Sequence, residues 1–159
     1  MPVSILIIGI GNEYRSDDVA GLLAARMLRT LSTPALPENA IIESDGDGAA
    51  LLDLWQAEDT VILIDASFSG LPAGTITRFD PLDYPIPPSL LVSSHAFGLA
   101  ETIELARRLD TLPRSLVVYA IEGKNFSVGM NPSPEIEQAA RAVAQQIMVE
   151  WQTSPASDC

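Results

Sequence analysis

The chain has a single cysteine, few basic residues and no long apolar run. The cysteine is Cys159, the last of 159 residues, so neither an internal disulfide nor a cysteine-based zinc site can form. Nine Lys and Arg residues stand against 21 Asp and Glu residues, which gives a net charge of -12. This charge repels nucleic acid and anionic membranes, and it favours cations, neutral groups or basic surfaces as partners.

Signals for export or membrane insertion are also missing. Met1 to Ile10 contains no Lys or Arg, whereas a secretory leader begins with a basic region. No apolar run approaches the roughly 20 residues of a membrane-spanning helix. We therefore expect a cytoplasmic protein that binds neither membranes nor nucleic acid.

Short apolar runs alternate with helical patterns along the chain. Runs rich in Val, Ile and Leu predict strands covered on both faces, and they occupy 4–8, 40–44, 60–64 and 116–121. Residues 75–79 alternate instead, as in an edge strand. Apolar stripes at helical spacing begin at Ala20, Leu99 and Ile136, and residues 49–55 predict a further short helix. The order βαβαββαβα predicts a three-layer α/β/α sandwich around a mostly parallel, twisted, five-stranded sheet.

The length and composition predict one domain. A chain of 159 residues with 47% hydrophobic residues can bury a core of its own. The last apolar stripe ends at Trp151, so we expect the domain to cover 1–152 and the residues 153–159 to form a flexible tail.

Acidic residues follow the predicted strands at the end where open α/β sheets bind ligands. The residues that follow the strands are Gly9, Gly11, Asn12, Asp17 and Asp18 after the first, Asp45, Gly46 and Asp47 after the second, Asp65 after the third and Glu122 after the last. His95, the only histidine, stands just before the third long helical pattern. One imidazole and two strand-end carboxylates favour an open site for a divalent transition metal.

Each of these residues also has a purely structural interpretation. Asp17 and Asp18 precede a helix, where aspartate is favoured by backbone N–H groups and by the helix dipole. Taken alone, a histidine such as His95 is more often a core or helix-entry residue than a ligand. Asp65 is harder to interpret in this way, because a carboxylate at the end of a buried strand needs a partner.

The usual motifs of other α/β enzymes are absent. The dinucleotide-binding fingerprint requires a third glycine where Tyr14 stands, and an acid much nearer than Asp45. There is neither a Walker lysine nor a GxSxG nucleophile motif.

Four motifs resemble the hydrogenase maturation endopeptidases. ILIIGIGNEYRSDDVAG resembles the opening of that family, a hydrophobic strand followed by G-x-G-N and D-[DE]-x-x-G. VILIDASFSGLPAGTITRFD is similar to its third strand, loop and edge strand. SSHAFGLAETIELARRL is similar to its S-x-H-x-x-G-L helix start, and IEGKNFSVGMNPSPEIEQAA to its last strand, loop and helix. The resemblance covers about Ile5 to Ile147.

The resemblance implies a peptidase that removes the C-terminal extension of a nickel-iron hydrogenase large-subunit precursor after nickel insertion. The metal-contacting and catalytic positions of the family fall on Asp18, Asp65 and His95, although many relatives have Glu where Asp18 stands. The nickel belongs to the substrate, so no tightly bound resident cofactor is expected. The other strand-end residues are then expected to contact the substrate; they are Gly9, Gly11, Asn12, Asp17, Asp45 and Gly46.

Two alternatives remain open at this point. One is a hydrolase that holds zinc or manganese as a resident cofactor. The other is a non-enzymatic module that binds a small ligand or nickel. In each case we expect a monomer.

Overall fold

The structure is a computed structural model that describes residues 4–31, 36–57, 59–83, 98–129 and 131–153. Its helices and strands follow the predicted order. They are β1 (Ile5–Ile10), α1 (Ala20–Thr30), β2 (Ile41–Ser44), α2 (Gly48–Leu52), β3 (Thr60–Ser67), β4 (Ile76–Phe79), α3 (Leu99–Arg108), β5 (Ser115–Glu122) and α4 (Pro134–Thr153). Short 3-10 turns at Ser16–Val19 and Glu38–Ala40 precede α1 and β2.

The five strands form one sheet in the order β2-β1-β3-β5-β4. All neighbouring pairs are parallel except β4 with β5, which is antiparallel. The predicted mostly parallel sheet and the edge position of β4 are therefore confirmed.

Two buried clusters lie on opposite faces of this sheet. Successive side chains of a strand point to opposite faces, so Ile62 and Ile64 pack with α1 and α4, whereas Val61 and Leu63 pack with α2 and α3. Burying one such side chain contributes about 1.5–3 kcal/mol. Because both faces are covered, the strands appear in the sequence as unbroken apolar runs.

Several boundaries differ from the prediction. β3 continues to Ser67 rather than ending at Ile64, because it pairs with β5 as far as Ser67 opposite Glu122. Asp65 therefore lies inside the strand and not after it. β1 likewise extends to Ile10, since Ile10 pairs with Ser44 of β2.

The helices also end differently from the prediction. α2 stops at Leu52, and Trp55 lies beyond it as a buried side chain that donates its indole N–H to the Thr111 carbonyl at 3.0 Å. α4 includes Thr153, the first residue of the expected tail, and 154–159 lie outside the described residues. Within the described part of the chain, no helix has the length and apolar character needed to cross a membrane.

Candidate active site

The strand order creates a crevice at the carboxyl ends of β1 and β3. From β1 the chain passes through α1 to β2 on one side, and from β2 it passes through α2 to β3 on the other. In open α/β sheets, ligands bind at the carboxyl ends of two neighbouring strands whose connections run to opposite sides. The residues after β1 and at the end of β3 are therefore the first candidates for a site.

Glycines allow the start of α1 to contact the ends of these two strands. A Cβ atom on Gly21 would collide with the carbonyl oxygens of Ile10 and Ile64. A Cβ on Gly9 would collide with Gly21, and one on Gly11 would collide with the Asp18 carbonyl oxygen. The close approach of backbone to backbone, rather than a phosphate, accounts for the glycines here.

Asp18 and Asp65 lie near each other at this end of the sheet. Asp18 lies in the 3-10 turn between β1 and α1 and is 9% exposed, while Asp65 near the end of β3 is 6% exposed. Burial and then the nearby charge of Asp18 raise the pKa of Asp65 well above its ordinary value, although the Ala66 N–H donates to Asp65 Oδ1 at 2.8 Å. Two buried carboxylates that disfavour each other's charge form a site suited to a cation.

His95 lies outside the described residues, so its position relative to this pair stays a prediction. Asp65 lies two residues after Leu63 and four after Val61 in β3, so its side chain lies on the same face of the sheet, the one covered by α2 and α3. α3 begins at Leu99, four residues after His95, and Leu99 belongs to the same buried cluster as Leu63. The chain thus enters α3 on the face of the sheet that carries Asp65.

Asp17 has a different environment from its neighbour. It is 0% exposed, and its carboxylate accepts four hydrogen bonds: from the backbone N–H groups of Lys124, Asn125 and Ser133 at 2.9, 3.0 and 2.7 Å, and from the Ser133 hydroxyl at 3.0 Å. Burial alone would raise the pKa of Asp17, but these bonds together lower it below its ordinary value. In this structure Asp17 fastens the β5–α4 loop to the turn that carries Asp18.

Neither aspartate is the N-cap of α1, but both lie in the first turn of the 3-10 segment Ser16–Val19 that leads into it, so only the first-turn part of the structural interpretation is confirmed. The N-cap position of α1 is Val19, and no side chain accepts a hydrogen bond there. Ser133 does precede Pro134 at the start of α4, but its hydroxyl donates to Asp17.

The remaining predicted residues lie on the β2 side of the crevice. Gly11, Asn12 and Asp45 line an open depression of about 410 Å³ together with Tyr14 and Glu43. Gly46 has a φ of +88°, a backbone conformation that favours glycine. The Asp47 N–H donates to Asp45 Oδ1 at 3.0 Å, and Asp47 in turn caps α2. Substrate contact at these residues stays a prediction.

Glu122 is a buried acid at this edge to which sequence reasoning gave no role. It is 1% exposed, and it accepts bonds from the Ser69 N–H at 2.9 Å and the Ser69 hydroxyl at 2.6 Å. It thereby holds the β3–β4 loop. Its place at the end of the last strand was the only signal in the sequence, and that signal does not distinguish a loop-holding acid from a ligand.

Among the residues that the structure describes, no group of three or more His, Cys, Asp and Glu side chains forms a metal-binding cluster. Asp18 and Asp65 supply two carboxylates, and the third donor of the predicted set is the undescribed His95. The two described donors fit a hard or borderline divalent cation in their chemistry.

Comparisons with known proteins agree on one group of proteins. The sequence model of the family described as "HycI: Hydrogenase maturation protease" matches residues 24–150. The "Hydrogenase expression/formation protein HupD" of Thiocapsa roseopersicina is 29% identical over 154 residues, an alignment that covers 89% of this chain and 68% of that protein.

Solved structures show the same fold. The hydrogenase maturating endopeptidase HybD from E. coli has a TM-score of 0.77 at 20% identity, with 96% of this chain and 94% of that chain covered. The [NiFe] hydrogenase maturation protease HycI from Thermococcus kodakarensis has a TM-score of 0.70 at 24% identity, with 95% and 94% covered.

Proposed function

Because the chain belongs to the hydrogenase maturation protease family and is therefore a peptide hydrolase, we propose that it removes the C-terminal extension of a nickel-iron hydrogenase large-subunit precursor once nickel has been inserted. In this proposal the protease identifies its substrate by the nickel ion that the precursor carries. The ion is part of the substrate and not a resident cofactor.

The observation that carries this proposal is the pairing of Asp18 and Asp65. Both are buried at the crevice, and the charge of one disfavours the charge of the other. A divalent cation between them replaces this repulsion with attraction to both carboxylates, an effect that a partly buried site strengthens. In this proposal the two carboxylates repel each other in the free enzyme, and the cation of a metal-bearing substrate removes that repulsion.

His95 would complete the set as the third donor, as the family resemblance implies. Two carboxylates and one imidazole leave positions open on a transition metal, and the ligands that the precursor provides can occupy them. This arrangement bridges protease and precursor through one ion. A precursor without nickel lacks that bridge, so cleavage becomes a test of metal insertion.

The same bridge accounts for catalysis through position and polarisation. Anchoring the ion fixes the scissile peptide against the crevice, which is an orientation effect. A bound metal ion also polarises a carbonyl oxygen and lowers the pKa of a bound water. In this proposal Asp18 and Asp65 hold the ion in place.

The test compares one precursor with and without nickel. The purified protein is incubated with both forms, and the mass of each product is measured. We expect loss of the C-terminal extension from the nickel-loaded form alone. Equal cleavage of both forms would contradict recognition of the substrate's nickel, and no cleavage of either form would contradict the assignment of the substrate.

A resident-metal hydrolase makes the opposite prediction in the same experiment. It would hold zinc or manganese in stoichiometric amount after purification and would cleave the two forms equally. A non-enzymatic module would leave both precursors at full length. Elemental analysis of the purified protein, together with the product masses, separates the three cases.

A further inference from the structure

An apolar surface borders the acid pair. The described residues include seven exposed large hydrophobic side chains, and four of them lie in the loops at the carboxyl end of the sheet. These four are Tyr14, Phe68, Leu71 and Val128, and we call them the apolar rim. Tyr14 and Val128 are 74% and 76% exposed, and Phe68 is 54% exposed. Exposed apolar residues that lie together mark interaction sites, whereas single ones are ordinary.

The three loops that carry the rim contact one another. The Gly129 N–H donates to the Tyr14 carbonyl at 2.9 Å, which joins the β5–α4 loop to the β1–α1 loop beside Val128. Phe126 packs edge-on against Phe68 with ring centroids 5.5 Å apart, which joins the same loop to the β3–β4 loop. The rim is therefore one surface rather than four separate side chains.

Buried acids hold these loops in place. Asp17 fixes the β5–α4 loop through Lys124, Asn125 and Ser133, and Glu122 fixes the β3–β4 loop through Ser69. A surface held in one conformation before binding loses less conformational entropy when a partner docks. The rim is thus prepared for a partner in the free protein.

The charge distribution indicates the chemistry of that partner. Residues 66–76 and 125–134 include no charged side chain, although the chain as a whole has a net charge of -12. Lys124 at the border of the second segment is paired with Glu135 at 3.2 Å. Tyr14 alone in the rim has charged neighbours, Glu13 and Arg15, and Glu13 is paired with Arg26. A neutral partner surface can therefore approach the loops that carry Phe68, Leu71 and Val128 without the repulsion or desolvation cost that the acidic remainder of the protein would impose on it.

We propose that the apolar rim docks an uncharged, apolar surface of the folded precursor next to its nickel. The inference rests on the proposed function, and it adds the protein surface that is recognised together with the ion. Tyr14 precedes Asp18 by four residues and Phe68 follows Asp65 by three, so a protein that places a cation between the two acids covers the rim as well. Burial of the rim supplies binding free energy that a single metal bridge lacks.

The experiment measures the Kd of the nickel-loaded precursor for a variant with both Tyr14→Ser and Val128→Ser. A matched control carries Leu31→Ser and Leu109→Ser. These exposed leucines follow α1 and α3, at the amino-terminal end of the parallel strands and away from the rim. We expect at least about tenfold weaker binding for the rim variant, because exposed contacts of this size are worth about that factor. The control should stay within about twofold of wild type.

Further measurements distinguish docking of the folded precursor from docking of the extension peptide or of a second copy of this chain. Under saturating precursor the rim variant should keep the wild-type kcat, because the change affects binding and leaves Asp18 and Asp65 intact. Equal Kd values for the rim variant and wild type would overturn the proposal. The proposal would also fall if the rim variant lost as much affinity for a synthetic peptide of the extension as for the loaded precursor, since that result would identify the peptide as the occupant. Loss of self-association in light scattering would identify a second copy of this chain instead.

Failure of the proposed function gives a different pattern. If the wild-type protein binds the loaded precursor through the rim but leaves it at full length, the docking surface stands and the peptidase assignment to this substrate falls. If the wild-type protein does not bind the precursor at all, both are wrong.

Discussion

Asp18 and Asp65 meet in the crevice at a cost to the folded protein. Both are buried, and each disfavours the charge of the other. Two neighbouring buried carboxylates destabilise the folded protein when no cation lies beside them, and such costs are common at functional sites. A mutation of the pair should therefore change stability and processing in opposite directions.

Asp65→Asn should reduce processing of nickel-loaded precursor by more than about 100-fold, since a neutral amide is a poorer ligand than a carboxylate. It should also raise the melting temperature near pH 7, because burial and then the charge of Asp18 raise the pKa of Asp65 in the folded protein, a cost that a neutral amide does not carry. Mass spectrometry and thermal denaturation measure the two effects. His95→Ala and Asp18→Ala should lose processing in the same way.

Asp18→Glu is the matched control, since it keeps the carboxylate and should keep processing. Full activity in Asp65→Asn would contradict a role for that carboxylate in binding the substrate's metal. A folded but inactive Asp18→Glu would instead show that the length of this side chain is fixed by the geometry.

The sequence placed Asp18 and Asp65 at the carboxyl end of the sheet but could not show that they are neighbours there. Parallel strands bring their carboxyl ends to the same edge, and this much follows from the apolar runs. In the structure β1 and β3 are neighbours and β2 lies outside β1. This strand order depends on tertiary packing, which cannot be predicted from a local sequence pattern. For the same reason, sequence reasoning offered helix capping for Asp17, whose actual partners lie more than 100 residues away.

At the scale of elements, Asp17 fixes the β5–α4 loop to the turn before α1. In Asp17→Asn an amide N–H₂ group replaces one of the two carboxylate oxygens. The N–H and O–H groups that donated to that oxygen would then face another hydrogen-bond donor. We expect Asp17→Asn to lower the free energy of unfolding by about 2–4 kcal/mol. Urea denaturation at pH 7 measures this change.

Ser133→Ala removes one of the four bonds to Asp17 and should cost about 1 kcal/mol. If Asp17→Asn unfolds like the wild type and loses only processing, then Asp17 acts on the substrate, as the sequence first predicted.

A second long-range connection joins α1 to β2. Arg26 Nη2 lies 2.9 Å from Glu43 Oε1, Arg29 also pairs with Glu43, and the Glu43 side chain is 28% exposed. Burial alone would raise the pKa of Glu43, but the bonds from both arginines lower it below 4.5. A lowered folded pKa means that the stabilisation is full above the unfolded value and is lost as the pH falls through the folded value.

Glu43→Gln should therefore lower the free energy of unfolding by about 0.5–1 kcal/mol at pH 7 and low salt. The difference from wild type should shrink as the pH falls below 4.5. Urea titrations between pH 7 and pH 3.5 measure it, with Glu137→Gln on the exposed side of α4 as the control. A difference that is independent of pH would show that the ion pairs are not its cause.

At the scale of the whole molecule, the proposed site offers a transition metal too few ligands to bind it tightly without the precursor. The described residues form no three-ligand cluster, and two carboxylates with one imidazole would still leave a transition metal undersaturated. We expect the purified protein to bind free nickel weakly and to contain little metal.

Treatment of the enzyme with a chelator, followed by its removal, should leave the rate on nickel-loaded precursor unchanged. Elemental analysis and the cleavage rate are the measurements. A treated enzyme that is inactive until zinc or manganese is returned would identify a resident metal.

The fold as a whole was predictable because its signals are repetitive. Unbroken apolar strands and amphipathic helices occur in an order that allows few topologies, and that order was confirmed. Boundaries were less predictable: β3 runs past Ile64 to Ser67 because β5 offers partners there. The residues of the apolar rim carry no periodic pattern, so no sequence signal grouped Tyr14 with Val128.

The separation of Asp18 and Asp65 along the chain has a consequence for the life of the protein in the cell. One lies after the first strand and the other in the third, and only the assembled sheet brings them into the same crevice. A chain still emerging from the ribosome, or one that has partly opened, does not possess the pair. Under the proposed function, the enzyme would therefore become able to cut only after its own folding is complete, so that maturation of the precursor would depend on the folded state of the protease.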